Sequence, residues 1–230
     1  LVDFKRILSN LDKDKTMLHH FPNGNGIKDY VVPETVKIIG SYAFRGSDIE
    51  SVTIPDSVTN IYGFAFNECK ELKSVVMGNG VKSIGDRAFM DCTELRKLVI
   101  GNSLENLGME AFANCDKITR VVLPGTIKTM GLFPFFACEG LKTVTIHDGV
   151  TTLGTSMFIH CKNLNSIYIP ATVTTISDHV FMNCTGLRDI YFAGTPEQWD
   201  AISKEPIASY VTVHFNVTHF HEYKGVVTEP

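Results

Sequence analysis

The stretch GDRAFMDCTELRKLVI, residues 85–100, recurs along the chain with a fixed period, and this recurrence decides the fold. Cysteines stand 23 residues apart, each with a phenylalanine three residues earlier and a leucine or isoleucine three residues later. They are Cys69, Cys92, Cys115, Cys138, Cys161 and Cys184. One further unit lies upstream, where Phe44 keeps its place and Ser47 replaces the cysteine. Self-similarity at a constant spacing of this length indicates a repeat architecture.

Each unit has a simple physical interpretation. An apolar pair separated by one residue, such as Val121 and Leu123, predicts a short strand with one face inward. Two more inward residues follow, as Val58 and Ile61 do, and then commonly a glycine (Gly40, Gly85, Gly108, Gly131 and Gly154). Because one unit cannot bury its own apolar side, the units must stack into a solenoid with a parallel strand ladder. About seven coils of 22–23 residues are predicted, with Phe44 in a terminal coil and fewer neighbours than Phe112.

The residues of one repeat unit resemble those of a known protein family. The phrase IPDSVTNIYGFAFNECKELKSV, residues 54–75, resembles the repeat of the BspA-like leucine-rich-repeat family of bacterial cell-surface proteins. The resemblance covers about residues 32–192. It implies a leucine-rich-repeat solenoid of the α/β class: a right-handed superhelix with short parallel strands on a concave sheet and an irregular convex side. It also implies a secreted or cell-surface role in adhesion or binding, and it carries over no catalytic residues.

The ends of the stack need covers, because open coil faces would expose apolar side chains and strand edges. We expect an N-terminal cap hairpin in residues 1–31, with strands at 4–8 and 16–21, and the solenoid in residues 32–192. A C-terminal cap is expected in residues 193–216. It would begin with a short helix that has Thr195 as its N-cap, Pro196 at the first position and Gln198 at the third. Trp199 would lie over the last coil, residues 210–216 would add a closing strand, and residues 217–230 would form a tail or linker.

The cysteines are predicted to be buried free thiols. A disulfide framework would show varied spacings, and a zinc site would show clustered ligands such as Cys-x2-Cys. Here cysteine occupies one column of a repeat, where it serves as a small apolar side chain. The tail sequence His219-x-His221, with Glu222 beside it, would at most chelate a metal opportunistically, because a closed site needs a further ligand and a fixed backbone. No metal or cofactor is therefore expected.

Charge and composition exclude some classes of partner. The chain has 230 residues and a formal net charge of −4, so no global charge favours nucleic acid or an anionic membrane. No apolar run approaches the ~18–20 residues that span a bilayer. The sequence starts at Leu1, so we expect that a leader has been removed or that the chain is an excised fragment. An extracellular or cell-surface location follows from the resemblance alone.

A partner surface is predicted on the outward side of the strands. The outward residue between each inward pair forms a row: Thr53, Val76, Val99, Val122, Thr145, Tyr168 and Tyr191. Lys97 and Arg120 run beside it. An apolar stripe with cationic edges suits a protein or glycan partner, although valine and tyrosine are also simply good strand formers. Leu132 and Phe133 form a second candidate patch, open to local packing of an irregular turn or to self-association.

The main hypothesis is a non-enzymatic extracellular binding or adhesion module that recognises a macromolecule, such as a host or cell-surface protein, through the solenoid face. One alternative is a carbohydrate-binding module in which Tyr168 and Tyr191 act as stacking platforms. Another is a structural spacer that displays a different domain. An enzyme is the least favoured class, because no acid, base and nucleophile are placed together.

Overall fold

The computed structural model describes residues 11–24 and 26–218. The predicted strand at 4–8 and the tail histidines lie outside these ranges. The elements are β1 (Met17–Leu18), β2 (Asp29–Val31), β3 (Ile38–Ile39), β4 (Ser51–Ile54), β5 (Asn60–Ile61), β6 (Ser74–Met77), β7 (Ser83–Ile84), β8 (Lys97–Val99), β9 (Asn106–Leu107), β10 (Arg120–Leu123), β11 (Thr129–Met130), β12 (Thr143–Ile146), β13 (Thr152–Leu153), β14 (Ser166–Ile169), β15 (Thr175–Ile176), β16 (Asp189–Phe192), α1 (Pro196–Ala201) and β17 (Thr212–His214).

The strands form two parallel rows along a solenoid. The longer row is β2, β4, β6, β8, β10, β12, β14, β16 and β17, and the shorter strands make the second row. Paired strands are parallel and in register, so that Val121 of β10 faces Val144 of β12 one repeat later. The predicted parallel-strand solenoid is confirmed. The described residues make about nine turns, because a coil at each end joins the seven units that the sequence pattern predicts.

Each row contains one break. No backbone hydrogen bond of the described residues joins β8 to β10 in the longer row, or β11 to β13 in the shorter row. At the first break Lys97 and Arg120 occupy equivalent positions on neighbouring strands, where two like charges disfavour pairing. Leu98 and Ile100 are only half-buried there, whereas the equivalent Val121 and Leu123 are fully buried.

A column of phenylalanine rings fills the centre of the stack. Ring centroids of successive coils are 4.5 Å apart between Phe44 and Phe66 and 6.2 Å apart between Phe158 and Phe181. Phe21 extends the column, with its ring 4.8 Å from that of Phe44. Phe21 stands 23 residues before Phe44, so the period extends one coil further toward the N-terminus than the cysteine pattern indicates.

The turn around each phenylalanine from Phe44 to Phe181 has an unusual backbone, which we call the Ala-Phe turn (residues 85–92 and their equivalents). The residues two before and two after the phenylalanine have left-handed φ angles, for example 55° at Arg87 and 61° at Asp91. Such angles are costly for residues other than glycine. Because left-handed and right-handed residues alternate in this turn, three of its amides point toward the next coil. The amides of Arg87, Phe89 and Asp91 donate to carbonyl oxygens of that coil at 2.8–2.9 Å. These hydrogen bonds offset the strain.

The cysteine column is confirmed as a set of buried free thiols. Each Sγ donates a hydrogen bond to the carbonyl oxygen of the phenylalanine in the preceding coil, as Cys115 does to Phe89 at 3.2 Å and Cys184 does to Phe158 at 3.0 Å. Ser47 keeps the same interior position, and its Oγ lies 3.4 Å from the Sγ of Cys69. The column therefore selects a small side chain that carries a donor, not merely a small apolar one.

The thiols should react slowly in the folded protein. Burial raises the pKa of Cys138 and of Cys184 to about 12. At pH 8 such a thiol is about a thousandfold less ionised than a free cysteine. We expect a disulfide reagent to label none of the six cysteines within minutes in buffer and all of them in denaturant. Rapid labelling of several cysteines in the native protein would contradict the buried column.

The C-terminal end of the stack carries the short helix α1 and the strand β17. Thr195 caps α1, and the reciprocal capping box with Gln198 is present. Trp199 is buried, with its ring 5.2 Å from that of Phe192 in the last coil. Strand β17 pairs in parallel with β16 and closes the longer row. At the other end, Leu11 and Leu18 form an antiparallel bridge, while β1 pairs in parallel with β3.

Candidate partner-binding face

The outward side chains of the longer row make up a surface that we call the strand face. Its N-terminal half is open: Val31 is 69% exposed and Val99 is 41% exposed. Between them Thr53 is exposed, and Val76 is half-buried, as is Val122 on the far side of Val99. Val31 was missed in the sequence, although it pairs in register with Thr53, and this register was the signal that could have identified it.

The C-terminal half of the strand face is partly covered, with Tyr168 half-buried, which corrects the expectation that the whole row faces solvent. Tyr191 is only 5% exposed, and its ring stacks on His214 of β17 with centroids 4.7 Å apart. His214 is in turn 2.9 Å from Asp189 through Nε2 and Oδ1. The hydroxyl of Tyr168 donates to the carbonyl oxygen of Val217 at 3.4 Å. Thr145 is also buried. The C-terminal cap thus occupies one face of the Tyr191 ring, the ring that was a candidate stacking platform.

The cations of the strand face differ in their pairing. Lys73 is held by Glu50 at 2.6 Å, and Arg96 pairs with Glu94. Lys97 and Arg120 form no ion pair with any residue that the structure describes. Both flank the break between β8 and β10, where Lys97 is exposed and Arg120 half-buried.

The break gathers several binding features in one place. Val99 and Val122 supply apolar surface, Lys97 and Arg120 supply positive charge, and the facing edges of β8 and β10 lack the backbone hydrogen bonds that join the other neighbouring strands of the longer row. Interfaces between proteins commonly combine an apolar centre with a polar or charged rim. We call Val31, Thr53, Val76, Val99 and Val122, with these two cations, the open strand face.

The second candidate patch lies on the Ala-Phe turns, away from the strand face. Leu132 is 47% exposed. Phe133 is half-buried and has a left-handed φ of 59°. Its ring packs edge-on against Phe136, with centroids 6.1 Å apart. Phe133 therefore packs within its own turn, and Leu132 is the member of the pair that projects into solvent.

Two properties of the described residues bear on other classes of function. No three His, Cys, Asp or Glu side chains among residues 11–24 and 26–218 are grouped in a way that would hold a metal ion. Within the same ranges, no helix has both the length and the apolar character that a membrane span needs.

Comparison with solved structures finds bacterial leucine-rich repeat proteins. The leucine rich repeat protein of T. pallidum has 28% sequence identity and a TM-score of 0.67, over 77% of this chain and 86% of that one. A leucine-rich repeat protein from Bacteroides ovatus has 28% identity and a TM-score of 0.66, over 77% of this chain and 50% of that one. A leucine rich cell surface protein from Faecalibacterium prausnitzii has 28% identity and a TM-score of 0.55, over 76% of this chain and 56% of that one.

The chain spans about half the length of the second and third of these proteins. A comparison with curated proteins gives no match. The model of the BspA type leucine rich repeat region matches residues 18–132 and 105–223 in six copies. That range includes both strand rows, the phenylalanine and cysteine columns and the C-terminal cap. The chain therefore belongs to the BspA type leucine rich repeat family.

Proposed function

We propose that this protein is a non-enzymatic extracellular binding or adhesion module of a bacterial surface protein. It recognises a protein on a host or neighbouring cell through the open strand face. Proteins of the BspA type are typically bacterial surface proteins, and their fold is generally non-enzymatic. The observation that carries the proposal is the pair of exposed Val99 and half-buried Val122 at the break between β8 and β10, beside two cations that form no ion pair with the described residues.

The length of the open strand face supports a macromolecular partner. From Val31 to Val122 the outward residues span five consecutive strands of the longer row. Strands lie about 4.8 Å apart, so this part of the row is roughly 20 Å long. Such a length fits a folded partner or an extended segment better than a small molecule.

The first experiment is a screen of the purified full chain against arrays of proteins and glycans. The proposal expects binding to one or more proteins. Binding to glycans alone would favour the carbohydrate-binding alternative. No binding on either array would favour a spacer role.

Val99→Lys combined with Val122→Lys should then weaken binding of the selected protein at least tenfold, which equals ~1.4 kcal/mol. The two charges would replace the apolar side chains that stand beside Lys97 and Arg120 at the break, so a partner that buries this surface would have to bury two additional charges. Unfolding free energy should change by less than about 1 kcal/mol, because neither side chain is buried. Titration calorimetry and denaturant melts measure the two quantities.

Thr129→Lys combined with Thr152→Lys is the matched control, because it adds the same charge, one repeat apart, to the exposed side of the shorter row. This control should bind like the unmodified chain. Equal loss in both double variants would show a nonspecific charge effect. Undiminished binding by the folded Val99/Val122 variant would place the site elsewhere. Leu132→Ser with Phe133→Ser would then test the second patch.

A further inference from the structure

A cavity of about 380 Å³ lies between the last coil and the loop of the C-terminal cap. The coil contributes Val180, Phe181, Asn183 and Leu187, and the cap loop contributes Ile207 and Ala208. The cavity stands at the end of the Ala-Phe turns, far along the stack from the break in the strand face. Its lining is mainly apolar on the coil side, and its volume falls within the range of ligand sites in proteins.

Two backbone amides of the last Ala-Phe turn lack the hydrogen-bond acceptors that their equivalents have in the earlier coils. In every earlier coil from Phe44 onward, the phenylalanine amide donates to a carbonyl oxygen of the next coil, as Phe158 does to Val180 at 3.0 Å. The amide two residues later does the same, as His160 does to Met182 at 3.0 Å. In the last coil the equivalent amides belong to Phe181 and Asn183, and neither has a hydrogen-bond partner among the residues that the structure describes.

A hydrogen bond to the C-terminal cap indicates that these amides point toward the cavity. The first amide of the last Ala-Phe turn, that of His179, donates to Oε2 of Glu205 in the cap loop at 3.0 Å. The left-handed angles of this turn, 61° at His179 and 59° at Asn183, match those of the other coils. The three amides are therefore aligned as elsewhere, and the cap supplies an acceptor for one of them. Aligned backbone amides of this kind attract acceptor oxygens.

The aromatic column ends at the same place. Each ring from Phe44 to Phe158 has a neighbouring ring on both sides, at 4.5–6.2 Å. Phe181 stacks on Phe158 on one side, faces the cavity on the other and is only half-buried. Its carbonyl oxygen accepts the amide of Cys184 but no thiol from a following coil. The cavity thus occupies the position in which a further repeat would place a phenylalanine and its two flanking carbonyls.

We propose that this cavity binds a peptide segment that carries an aromatic residue. The ring of that residue stacks on Phe181. The carbonyl oxygens on either side of it accept hydrogen bonds from the amides of Phe181 and Asn183, in the conformation of the Ala-Phe turn. The segment completes the amide ladder and the ring column together, as added strands do in other modes of peptide recognition. This site lies apart from the open strand face and does not depend on the function proposed above.

The test titrates the full chain with a blocked synthetic peptide of residues 85–92 carrying Cys92→Ser. Its matched control is the same peptide with Phe89→Ala. In the chain's own stack, the carbonyls of Ala88 and Met90 accept from the amides of Phe66 and Glu68, so the peptide contains all the required groups. We expect saturable binding by calorimetry, at least tenfold weaker for the alanine peptide. In amide exchange measured by NMR, Phe181 and Asn183 should gain protection, whereas His179 should change little.

Two protein variants make the result specific. Ala208→Trp, at an exposed cap position that lines the cavity, should fill the space and reduce binding at least tenfold. Val99→Lys with Val122→Lys should leave peptide binding unchanged. The proposal is overturned if the peptide fails to bind, if the alanine peptide binds equally, or if Ala208→Trp has no effect. Dimerisation in sedimentation runs that Ala208→Trp abolishes, without peptide binding, would overturn it and assign the cavity to a second copy of the chain.

Discussion

Replacing Phe112 by alanine should lower the free energy of unfolding by about 3–5 kcal/mol, as large-to-small changes in cores do. Phe112 is completely buried. Its ring lies 5.1 Å from that of Phe89 and 5.4 Å from that of Phe135. The neighbouring coils are held apart by their own hydrogen bonds, so they cannot collapse into the space. Denaturant melts of the full chain would measure the loss.

Phe181→Ala is the matched control within the same column and should cost clearly less, because Phe181 is half-buried and stacks on one side only. The sequence pattern alone predicts a smaller loss for Phe44 than for Phe112, because it places Phe44 in a terminal coil, and the structure contradicts that placement. Phe44 lies between the rings of Phe21 and Phe66, so its replacement should cost about as much as that of Phe112. A negligible loss at Phe112 would show that the column does not carry the core.

Replacing Gly108 by alanine should destabilise the fold by about 3 kcal/mol, the upper end of typical overpacking costs. A Cβ atom at Gly108 would stand 2.5 Å from both the Asp86 nitrogen and the Gly85 carbonyl carbon. These are backbone atoms of the preceding coil, so relief requires two coils to separate. Separation would strain the nearby bond from the Gly108 amide to the Ile84 carbonyl oxygen, now 2.8 Å. Thermal and denaturant melts would report the change.

Gly154→Ala provides the comparison, since Gly154 belongs to the same column of the repeat. Its Cβ would meet the side-chain Cβ of Met130 at 3.1 Å and other atoms only at 3.7 Å. The coils are wider apart at this point because β11 and β13 do not pair. Its replacement should cost less than about 1 kcal/mol. Equal losses at the two glycines would contradict the break in the shorter strand row.

Much of the fold was predictable because the repeat turns one local pattern into many consistent observations. Apolar pairs such as Val121 and Leu123 predict a strand, and their recurrence every 23 residues predicts parallel, in-register stacking. The cap helix was predictable for a different reason: Thr195, Pro196 and Gln198 act through contacts only a few residues apart. In both cases the deciding interactions are either local or repeated, so they are visible along the chain.

The candidate sites depend on interactions that the chain order does not display. The sequence by itself determined the coil, the inward columns and the buried thiols, because each follows from the spacing of small and apolar residues. Only the tertiary structure decided that β17 covers Tyr191, that the ladder breaks between β8 and β10, and that the amides of Phe181 and Asn183 face a cavity. The physical reason is that these features arise where the repeat ends or fails. At such places the local structure is determined by contacts between residues far apart in the sequence, by repulsion between like charges and by missing hydrogen-bond partners. The repeat pattern does not predict these interactions.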